Sequence, residues 1–160
     1  SPPEIEAALR RCYEVSAAAL VEERIHGREI TVGVLDIGEA QALPVIEIRP
    51  IGGWYDFEHR YAVGGSEHVI PAPLAAEVYT AVQDIALRAH FALRCRDISR
   101  ADFLVTDAGD VKLLEVNTIP GMTPTSLYPD AARAAGISFA ELVRQLVLNA
   151  YRRKTAPSQG

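Results

Sequence analysis

Hydrophobic and polar positions follow two different periods along the chain, which predicts helices near both ends and strands between them. Apolar residues recur at helical spacing in three segments, residues 4–15, 75–93 and 138–152. Pro2 suits the first turn of the first helix, and Ser138 with Glu141 forms a capping box that opens the last one. A short helix is also predicted to end near Gly136.

The strands are predicted by β-branched or alternating runs. These runs cover residues 19–24, 29–37 and 43–49, followed by a hairpin of residues 98–107 and 110–117. Residues 50–73 keep no period and are rich in Gly, aromatic and charged residues, which indicates a lid, a binding loop or a disordered segment. The order of elements predicts an α+β fold, a mostly antiparallel sheet flanked by helices.

The hairpin carries the most informative polar residues. A two-residue loop at Ala108 and Gly109 pairs Asp107 with Asp110, which fixes the register of the two strands. In that register, opposed residues have Cβ atoms about 4.5 to 5.5 Å apart, and residues two apart share a face. Four polar side chains therefore converge on one face: Arg100, Asp102, Glu115 and Asn117.

Two interpretations fit these side chains. In the first, Arg100 is the cation of an ordinary cross-strand ion-pair cluster without chemistry. In the second, the carboxylates and the amide oxygen bind a hard divalent ion such as Mg²⁺ or Mn²⁺. The second is favoured because one Arg does not neutralise two half-buried carboxylates, and apolar residues on both faces predict a central, covered hairpin. Those residues are Leu104, Val111 and Leu113 on one face and Phe103, Val105, Leu114 and Val116 on the other.

Composition bounds the class of protein. At 160 residues and 49% hydrophobic content, the chain has the length of one domain and can bury a core. Its net charge of −5 and the absence of a basic patch argue against a nucleic-acid partner, and no apolar run reaches the length of a membrane span. A cytoplasmic location fits. Cys12 and Cys95 are predicted to be buried thiols. The four histidines are predicted to lie on the surface: His26, His59, His68 and His90.

The run from Leu114 to Pro129, preceded by Arg100-Ala-Asp102, closely resembles the carboxy-terminal part of D-alanine:D-alanine ligases, members of the ATP-grasp superfamily. Further matching blocks follow in collinear order, at residues 21–29, 43–48 and 55–61. The resemblance implies an enzyme that joins two D-alanines for peptidoglycan. ATP first phosphorylates one carboxylate, and the amine of the second D-alanine then displaces phosphate.

The resemblance also implies roles for the hairpin residues. Asp102, Glu115 and Asn117 match the ligands of two Mg²⁺ or Mn²⁺ ions that bridge the nucleotide's phosphates. Arg100 matches a residue that lies against the transferred phosphoryl group, where charge grows during the reaction. Gly121 matches a backbone N–H donor to the oxyanion, with a plain turn as the alternative.

Other blocks match substrate and nucleotide contacts. Ser126 and Leu127 match the corner that binds the carboxylate of the second D-alanine, and simple helix capping is the alternative for Ser126. Glu29 matches the acid that binds the ribose hydroxyls. The linker that pairs with adenine is matched by Glu22, Glu23 and Ile25.

Arg60 and Tyr61 match catalytic residues of a mobile loop that closes over the site. The family usually has Lys where this chain has Arg60. Arg keeps the positive charge, but its planar fork differs from the point charge of Lys, so loop closure is expected to differ in detail. Tyr61 suits ligases whose acceptor is an amine.

The chain is expected to be one portion of a larger ligase. It begins at Ser1, and its only lysines are Lys112 and Lys154, whereas the family's central lobe covers the phosphates with Lys residues and a Gly-rich loop. We therefore expect residues 1–153 to form the carboxy-terminal ATP-grasp portion, with residues 154–160 as a flexible tail.

The expected partners are D-alanine and the amino-terminal and central parts of the same enzyme, with a homodimer compatible with the intact enzyme. Alone, the chain is expected to be inactive, because an active site shared between lobes loses its positioning. Two alternatives remain at this point: a non-catalytic nucleotide-binding, metal-binding or scaffold fragment, and an ATP-grasp ligase for another amino acid.

Overall fold

The computed structural model describes residues 2–50 and 66–155 of the chain. Within these residues six strands form one sheet in which every pairing is antiparallel, in the order β4-β3-β1-β5-β6 with β2 beside β1. The strands are β1 (Arg28–Asp36), β2 (Ala40–Ala42), β3 (Ile46–Pro50), β4 (Ser66–Val69), β5 (Asp97–Val105) and β6 (Val111–Asn117). The predicted α+β fold with a mostly antiparallel sheet is confirmed.

Four helices accompany the sheet in the described part of the chain: α1 (Pro2–Val15), α2 (Ala76–Ala92), α3 (Leu127–Ala134) and α4 (Phe139–Thr155). Helices α1, α2 and α4 were predicted from the helical spacing of apolar residues, and α3 was predicted as a short helix that ends near Gly136. Helix α4 continues through Lys154, a position that we assigned to the tail.

The two faces of the sheet are covered to different extents. On one face, Val82 and Ala86 of α2 pack against a buried cluster that includes Val32, Ala101 and Phe103. On the other face, α3 and α4 cover the end of the sheet near Leu35, with Tyr128 and Leu142 fully buried. The remainder of this second face is open, and it carries Thr31 opposite Asp102. The uncovered half of the sheet is where the candidate site residues Arg100 and Asp102 lie.

One strand prediction was wrong, and another strand begins later than predicted. Residues 19–24 form no strand, because Leu20 and Val21 are 84% and 73% exposed and the segment pairs with no described strand. The strand predicted from residue 43 begins at Ile46, although Leu43 is buried and its N–H donates to the carbonyl of Gly33 at 2.8 Å. Strand β4 lies inside the segment that we predicted to be aperiodic.

The β5–β6 hairpin reaches the predicted register by a different route. The loop is longer than the predicted two residues, since the N–H of Thr106 donates to the carbonyl of Asp110 and Gly109 adopts a φ of +88°. A β-bulge after the Asp102–Glu115 pair then shifts the register by one residue. The two departures cancel, so Asp102 does lie opposite Glu115 and Arg100 opposite Asn117, as predicted.

The predicted central, covered hairpin was wrong for its second strand. Strand β6 lies at the edge of the described sheet, and Leu113 and Leu114 are 42% and 56% exposed. The bulge also places Val111, predicted on the face of the carboxylates, against the core beneath α2. Glu115 is therefore more accessible to solvent than expected.

The surroundings of several single residues also differ from expectation. His90, predicted on the surface, is fully buried with Nδ1 hydrogen bonded to Ser99 Oγ at 2.7 Å. His26 is exposed as predicted, whereas His59 lies outside the described residues. Cys12, predicted to be buried, is exposed, and Cys95 is half-buried.

A buried ion pair makes the fold sensitive to acid. Arg28 donates to both carboxylate oxygens of Glu47 at 2.8 Å, and Glu47 is only 6% exposed. The hydrogen bonds from Arg28, helped by Arg49 and only partly offset by burial, hold the pKa of Glu47 below its ordinary value of 4.5. A carboxyl group with a depressed pKa stabilises the fold above its unfolded-state pKa and loses that contribution as the pH falls.

We expect the free energy of unfolding, measured by urea titration, to fall as the pH is lowered from about 5 to about 3, through the unfolded-state pKa of Glu47 and below it. Glu47→Gln is expected to be less stable at pH 6 and to show a shallower decline, because Gln does not titrate. Asp84→Asn, which removes an exposed carboxylate of α2, serves as the control and should keep the wild-type slope. Parallel curves for wild type and Glu47→Gln would refute this role of Glu47.

Candidate functional site: an open cleft beside the β5–β6 hairpin

The open half of the second sheet face forms one wall of a cleft with a volume of about 870 Å³. The opposite wall is the chain between β6 and α3, together with the first turns of α3. Predicted site residues that line the cleft are Glu29, Arg100, Asp102, Glu115, Asn117, Gly121, Ser126 and Leu127. The structure thus brings together residues of β1, β5, β6 and α3.

Asp102 is held by two neighbours. Arg100 donates from Nε and a terminal nitrogen to its two carboxylate oxygens, at 2.9 and 2.7 Å, and Thr31 Oγ1 donates to Oδ1 at 2.6 Å. The side chains of Arg100 and Asp102 are only 15% and 17% exposed. The ion pair that we considered as an alternative is therefore present between Arg100 and Asp102. Thr31 was missed by the sequence analysis, because only the β1–β5 pairing places it opposite Asp102.

Glu115 is in a different situation. It is exposed, and it forms no hydrogen bond or ion pair with any described residue. Beside it, Asn117 uses Oδ1 to accept the N–H of Ile119 at 3.0 Å, which leaves a second lone pair on that oxygen. Carboxylate and amide oxygens at one end of the hairpin match the ligand chemistry of a hard divalent cation.

The described residues contain no group of three or more His, Cys, Asp or Glu side chains that could hold a metal ion. The candidate ligands are two acids and one amide, a set of a different composition. A cation held by them takes its remaining ligands from water or phosphate oxygens, which is usual for Mg²⁺. The residues present therefore fit such an ion.

Gly121 and Ser126 form a tight corner at the other side of the cleft. Ser126 Oγ accepts the N–H of Thr123 at 3.0 Å and lies 2.8 Å from the hydroxyl of Thr123. A methyl group added at Gly121 would lie 2.8 Å from Ser126 Oγ, closer than van der Waals contact allows. A side chain at Gly121 would therefore require the Ser126 hydroxyl or the loop to shift.

Ser126 occupies the N-cap position of α3, yet its side chain makes no capping hydrogen bond. Simple helix capping, the alternative for Ser126, was therefore wrong. The first N–H groups of a helix have no partner within the helix, so those of Leu127 and Tyr128 point toward the N-terminal end of α3. Such groups attract anions, and the corner lies in the cleft wall.

Tyr128 anchors this corner to the sheet. Its side chain is fully buried, and its hydroxyl donates to the carbonyl of Val34 at 2.8 Å. Its ring lies on β1 at Gly33, where an added methyl group would be 3.0 Å from the ring. Burial raises the pKa of Tyr128, which keeps the hydroxyl protonated as a donor.

Some predicted residues are not brought into the cleft wall. Glu22 and Glu23 are exposed and Ile25 is half-buried, in a segment without regular structure. This segment ends at Gly27, where an added methyl group would lie 2.6 Å from the carbonyl oxygen of Val105, so the chain passes close to the end of β5. The predicted loop residues Arg60 and Tyr61 lie outside the described residues.

Comparison with known proteins identifies relatives of the chain. Residues 1–148 match the protein family described as D-ala D-ala ligase C-terminus. The D-alanine–D-alanine ligase of Syntrophotalea carbinolica is 48% identical over 151 residues, which cover 94% of this chain and 48% of that protein. The chain therefore spans about half the length of the curated relatives that it matches.

Solved structures give the same result. The D-alanine–D-alanine ligase from Bacillus anthracis complexed with ATP superposes with a TM-score of 0.79 at 31% identity, covering 95% of this chain and 47% of that one. The VanG D-Ala:D-Ser ligase from Enterococcus faecalis superposes with a TM-score of 0.75 at 34% identity, covering 92% of this chain and 43% of that one.

The sheet, its half-open face and these superpositions define the carboxy-terminal fold of an ATP-grasp ligase. Within that class, the chain belongs to the D-alanine–D-alanine ligase C-terminal family. No helix among residues 2–50 and 66–155 has the length and apolar character needed to span a membrane.

Proposed function

We propose that the chain carries the Mg²⁺-binding and acceptor-binding half of an ATP-dependent D-alanine:D-alanine ligase, which makes D-alanyl-D-alanine for peptidoglycan precursors in the cytoplasm. The observation that carries this proposal is the convergence of Asp102, Glu115 and Asn117 with the Gly121–Ser126 corner in one cleft. In this proposal, residues 1–153 form the carboxy-terminal portion, and amino-terminal and central parts of the same enzyme complete the site.

The proposed reaction has two steps. The γ-phosphoryl group of ATP is transferred to the carboxylate of the first D-alanine, which yields ADP and an acyl phosphate. The amine of the second D-alanine then attacks the carbonyl carbon, the bond from that carbon to the phosphate oxygen breaks, and the amine loses a proton to solvent. Both steps build negative charge on oxygen, which fixed cations and N–H donors stabilise.

The hairpin residues supply the electrostatic part of the site. Asp102, Glu115 and Asn117 would hold two Mg²⁺ or Mn²⁺ ions, which neutralise the nucleotide's phosphates when bound. Arg100 lies beside them and stabilises the transferred phosphoryl group. Its guanidinium is positioned in advance, because Asp102 holds it by two hydrogen bonds and Thr31 in turn holds Asp102.

The corner at the start of α3 supplies the acceptor site. The backbone N–H of Gly121 donates to the oxyanion of the tetrahedral intermediate, and the Ser126 hydroxyl with the N–H of Leu127 binds the carboxylate of the second D-alanine. The hydrogen bonds from Ser126 to Thr123 hold this arrangement closed. Arg60 and Tyr61, in the segment before β4, complete the catalytic set in this proposal.

The nucleotide is proposed to extend from the hairpin toward β1. Glu29, which lines the same cleft two residues before Thr31, binds the ribose hydroxyls. The adenine lies beyond it against the linker that leads into β1, and its proposed contacts are Glu22, Glu23 and Ile25.

Titration of ADP into the 160-residue chain tests the nucleotide half of this proposal. We expect calorimetry to show that ADP binds in the presence of Mg²⁺ and that its affinity is at least tenfold lower in EDTA. The reason is that the ion joins the acids of the hairpin to the phosphates. Asp107→Asn, which removes an exposed acid at the loop end of the hairpin, is the matched control and should bind like wild type.

Absence of heat both with and without Mg²⁺ would favour a scaffold fragment over a half-site. The chain alone is expected to release no phosphate from ATP when D-alanine is added, whereas the complete enzyme should do so. D-alanine-dependent turnover by the isolated chain would contradict the division of the active site between two parts.

D-serine is a second candidate acceptor. The similarity to the VanG structure, described as a D-Ala:D-Ser ligase, favours this test, as do the hydroxyls of Thr123 and Thr125 in the cleft wall. The complete enzyme should be assayed with D-alanine alone and with D-alanine plus D-serine, and the products separated by mass. If the main product were D-alanyl-D-serine, the acceptor would be D-serine and not D-alanine.

A further inference from the structure

The cleft contains a second group of ionisable side chains, which the proposed function does not use. His68 Nδ1 donates to Asp130 Oδ2 at 2.7 Å, and Arg133 donates to Asp130 Oδ1 at 2.5 Å. His68 belongs to β4 and the other two to α3, and all three side chains line the cleft. The group therefore bridges the edge strand of the sheet and the first turns of the helix that carries the acceptor corner.

Burial decides which partner fixes Asp130. The side chain of Arg133 is 69% exposed, whereas those of His68 and Asp130 are 20% and 11% exposed. An exposed ion pair contributes little to stability, because side-chain entropy and screening by solvent and salt oppose it. A half-buried carboxylate keeps its hydrogen-bond partner, since losing that partner leaves an uncompensated desolvated charge. His68 is thus the partner that holds Asp130 in place.

Helix α3 depends on such contacts for its orientation. It has eight residues, and isolated helices shorter than about 12 residues are marginal in water. Pro129 has no N–H to donate, and Ser126 gives no side-chain cap. Within the described part of the chain, side-chain hydrogen bonds join α3 to the sheet at two points, Tyr128 to Val34 and His68 to Asp130.

The two contacts constrain different parts of α3. Tyr128, together with the buried Ala131 and Ala132, packs α3 against the core, and none of these three residues lines the cleft. The bond at Asp130 lies on the cleft side, three residues after Leu127, so it holds the first turn of α3 on the side where the acceptor corner lies.

We propose that His68 is a positioning residue for the acceptor site. Its hydrogen bond to Asp130 orients the first turn of α3, so that the N–H groups at Leu127 and Tyr128 face the carboxylate of the acceptor amino acid. This inference rests on the proposed function for the location of that carboxylate, whereas the orientation of α3 is a property of the chain itself.

The orientation is tested on the 160-residue chain by amide hydrogen exchange. The N–H of Asp130 bonds to the carbonyl of Ser126 at 3.3 Å and closes the first turn, so its exchange should be about tenfold faster in His68→Leu. The amide of Ala135, at the far end of α3, should be unchanged. His68→Asn keeps a side-chain N–H donor and should restore most of the protection.

His26→Leu removes an exposed histidine and is the matched control, with wild-type exchange at Asp130 expected. Unchanged exchange at Asp130 in His68→Leu would overturn the proposal. Equal acceleration at Asp130 and Ala135 would also overturn it, because a general loosening of α3 is a stability effect without any specific positioning.

Kinetics of the complete enzyme test the consequence for the acceptor. His68→Leu is expected to raise the KM for the second D-alanine about tenfold, as expected for loss of one charge-assisted hydrogen bond, with kcat and the KM for ATP within about twofold of wild type. His68→Asn should recover most of the loss. A fall in kcat at unchanged KM would overturn the proposal. A wild-type enzyme without D-alanine-dependent phosphate release would contradict the proposed function instead, and the exchange experiment then decides the role of His68.

Discussion

Replacement of Glu115 by Gln is expected to abolish ligation by the complete enzyme while leaving the fold intact. The substitution keeps the size of the side chain and removes one negative charge from the proposed cation site. Glu115 is exposed and bonded to no described residue, so its loss should cost little stability. A metal ion at the transferred phosphoryl group lowers the activation barrier by several kcal/mol. Because Glu115→Gln weakens the binding of that ion, we expect kcat to fall by about a thousandfold or more.

The measurement is phosphate release at saturating ATP and D-alanine, with a urea titration to verify the stability. Asp107→Asn, at the other end of the same hairpin, is the control for removing one acid and should retain wild-type activity. Mn²⁺ binding to the chain, followed by electron paramagnetic resonance, should weaken in Glu115→Gln and persist in the control. Wild-type turnover by Glu115→Gln would remove the proposed role of this residue.

The second large effect is expected for Gly121→Ala. The added methyl group would lie 2.8 Å from Ser126 Oγ, so either the hydroxyl or the loop has to move by several tenths of an ångström. The same loop carries the proposed N–H donor to the oxyanion and borders the acceptor carboxylate site. Misplacement of about 1 Å in such a site costs about a hundredfold, and we expect a loss of that size in kcat/KM for the second D-alanine.

Gly38→Ala separates this effect from simple destabilisation. Gly38 lies between β1 and β2 with a φ of +123°, and a methyl group added there would meet no described atom within 4 Å. The substitution therefore strains the backbone without a clash near the cleft. We expect it to lower the free energy of unfolding by about 1 kcal/mol and to leave the KM for D-alanine unchanged. If Gly121→Ala behaved in the same way, the corner would have only a structural role.

The sequence predicts the hairpin well because its pairing is local. Asp102 and Glu115 are separated by one turn, and the alternation of apolar residues restricts the register to few choices. Even so, the predicted loop was too short and the bulge at Leu114 was missed, and the correct pairing at the carboxylates results from the cancellation of these two differences.

Contacts between distant segments were beyond the sequence analysis. Thr31 binds Asp102 across 71 positions and His68 binds Asp130 across 62, and no local pattern indicates either pairing. The burial of His90 was missed for a related reason, because its partner Ser99 lies on a strand whose inward face becomes apparent only in the sheet. The strand predicted at residues 19–24 failed because short apolar runs also occur in exposed segments.

The bulge beside Leu114 separates the tip of the hairpin from its functional end. An insertion or deletion at the tip would shift the pairing of residues 111–113 with β5. Gain or loss of a bulged residue near Leu114 would compensate for that shift, so the pairing of Glu115 with Asp102 would stay the same. We therefore expect the tip to accept an insertion while the acidic end keeps its alignment, which makes the tip a suitable attachment point for a fluorescent or affinity tag.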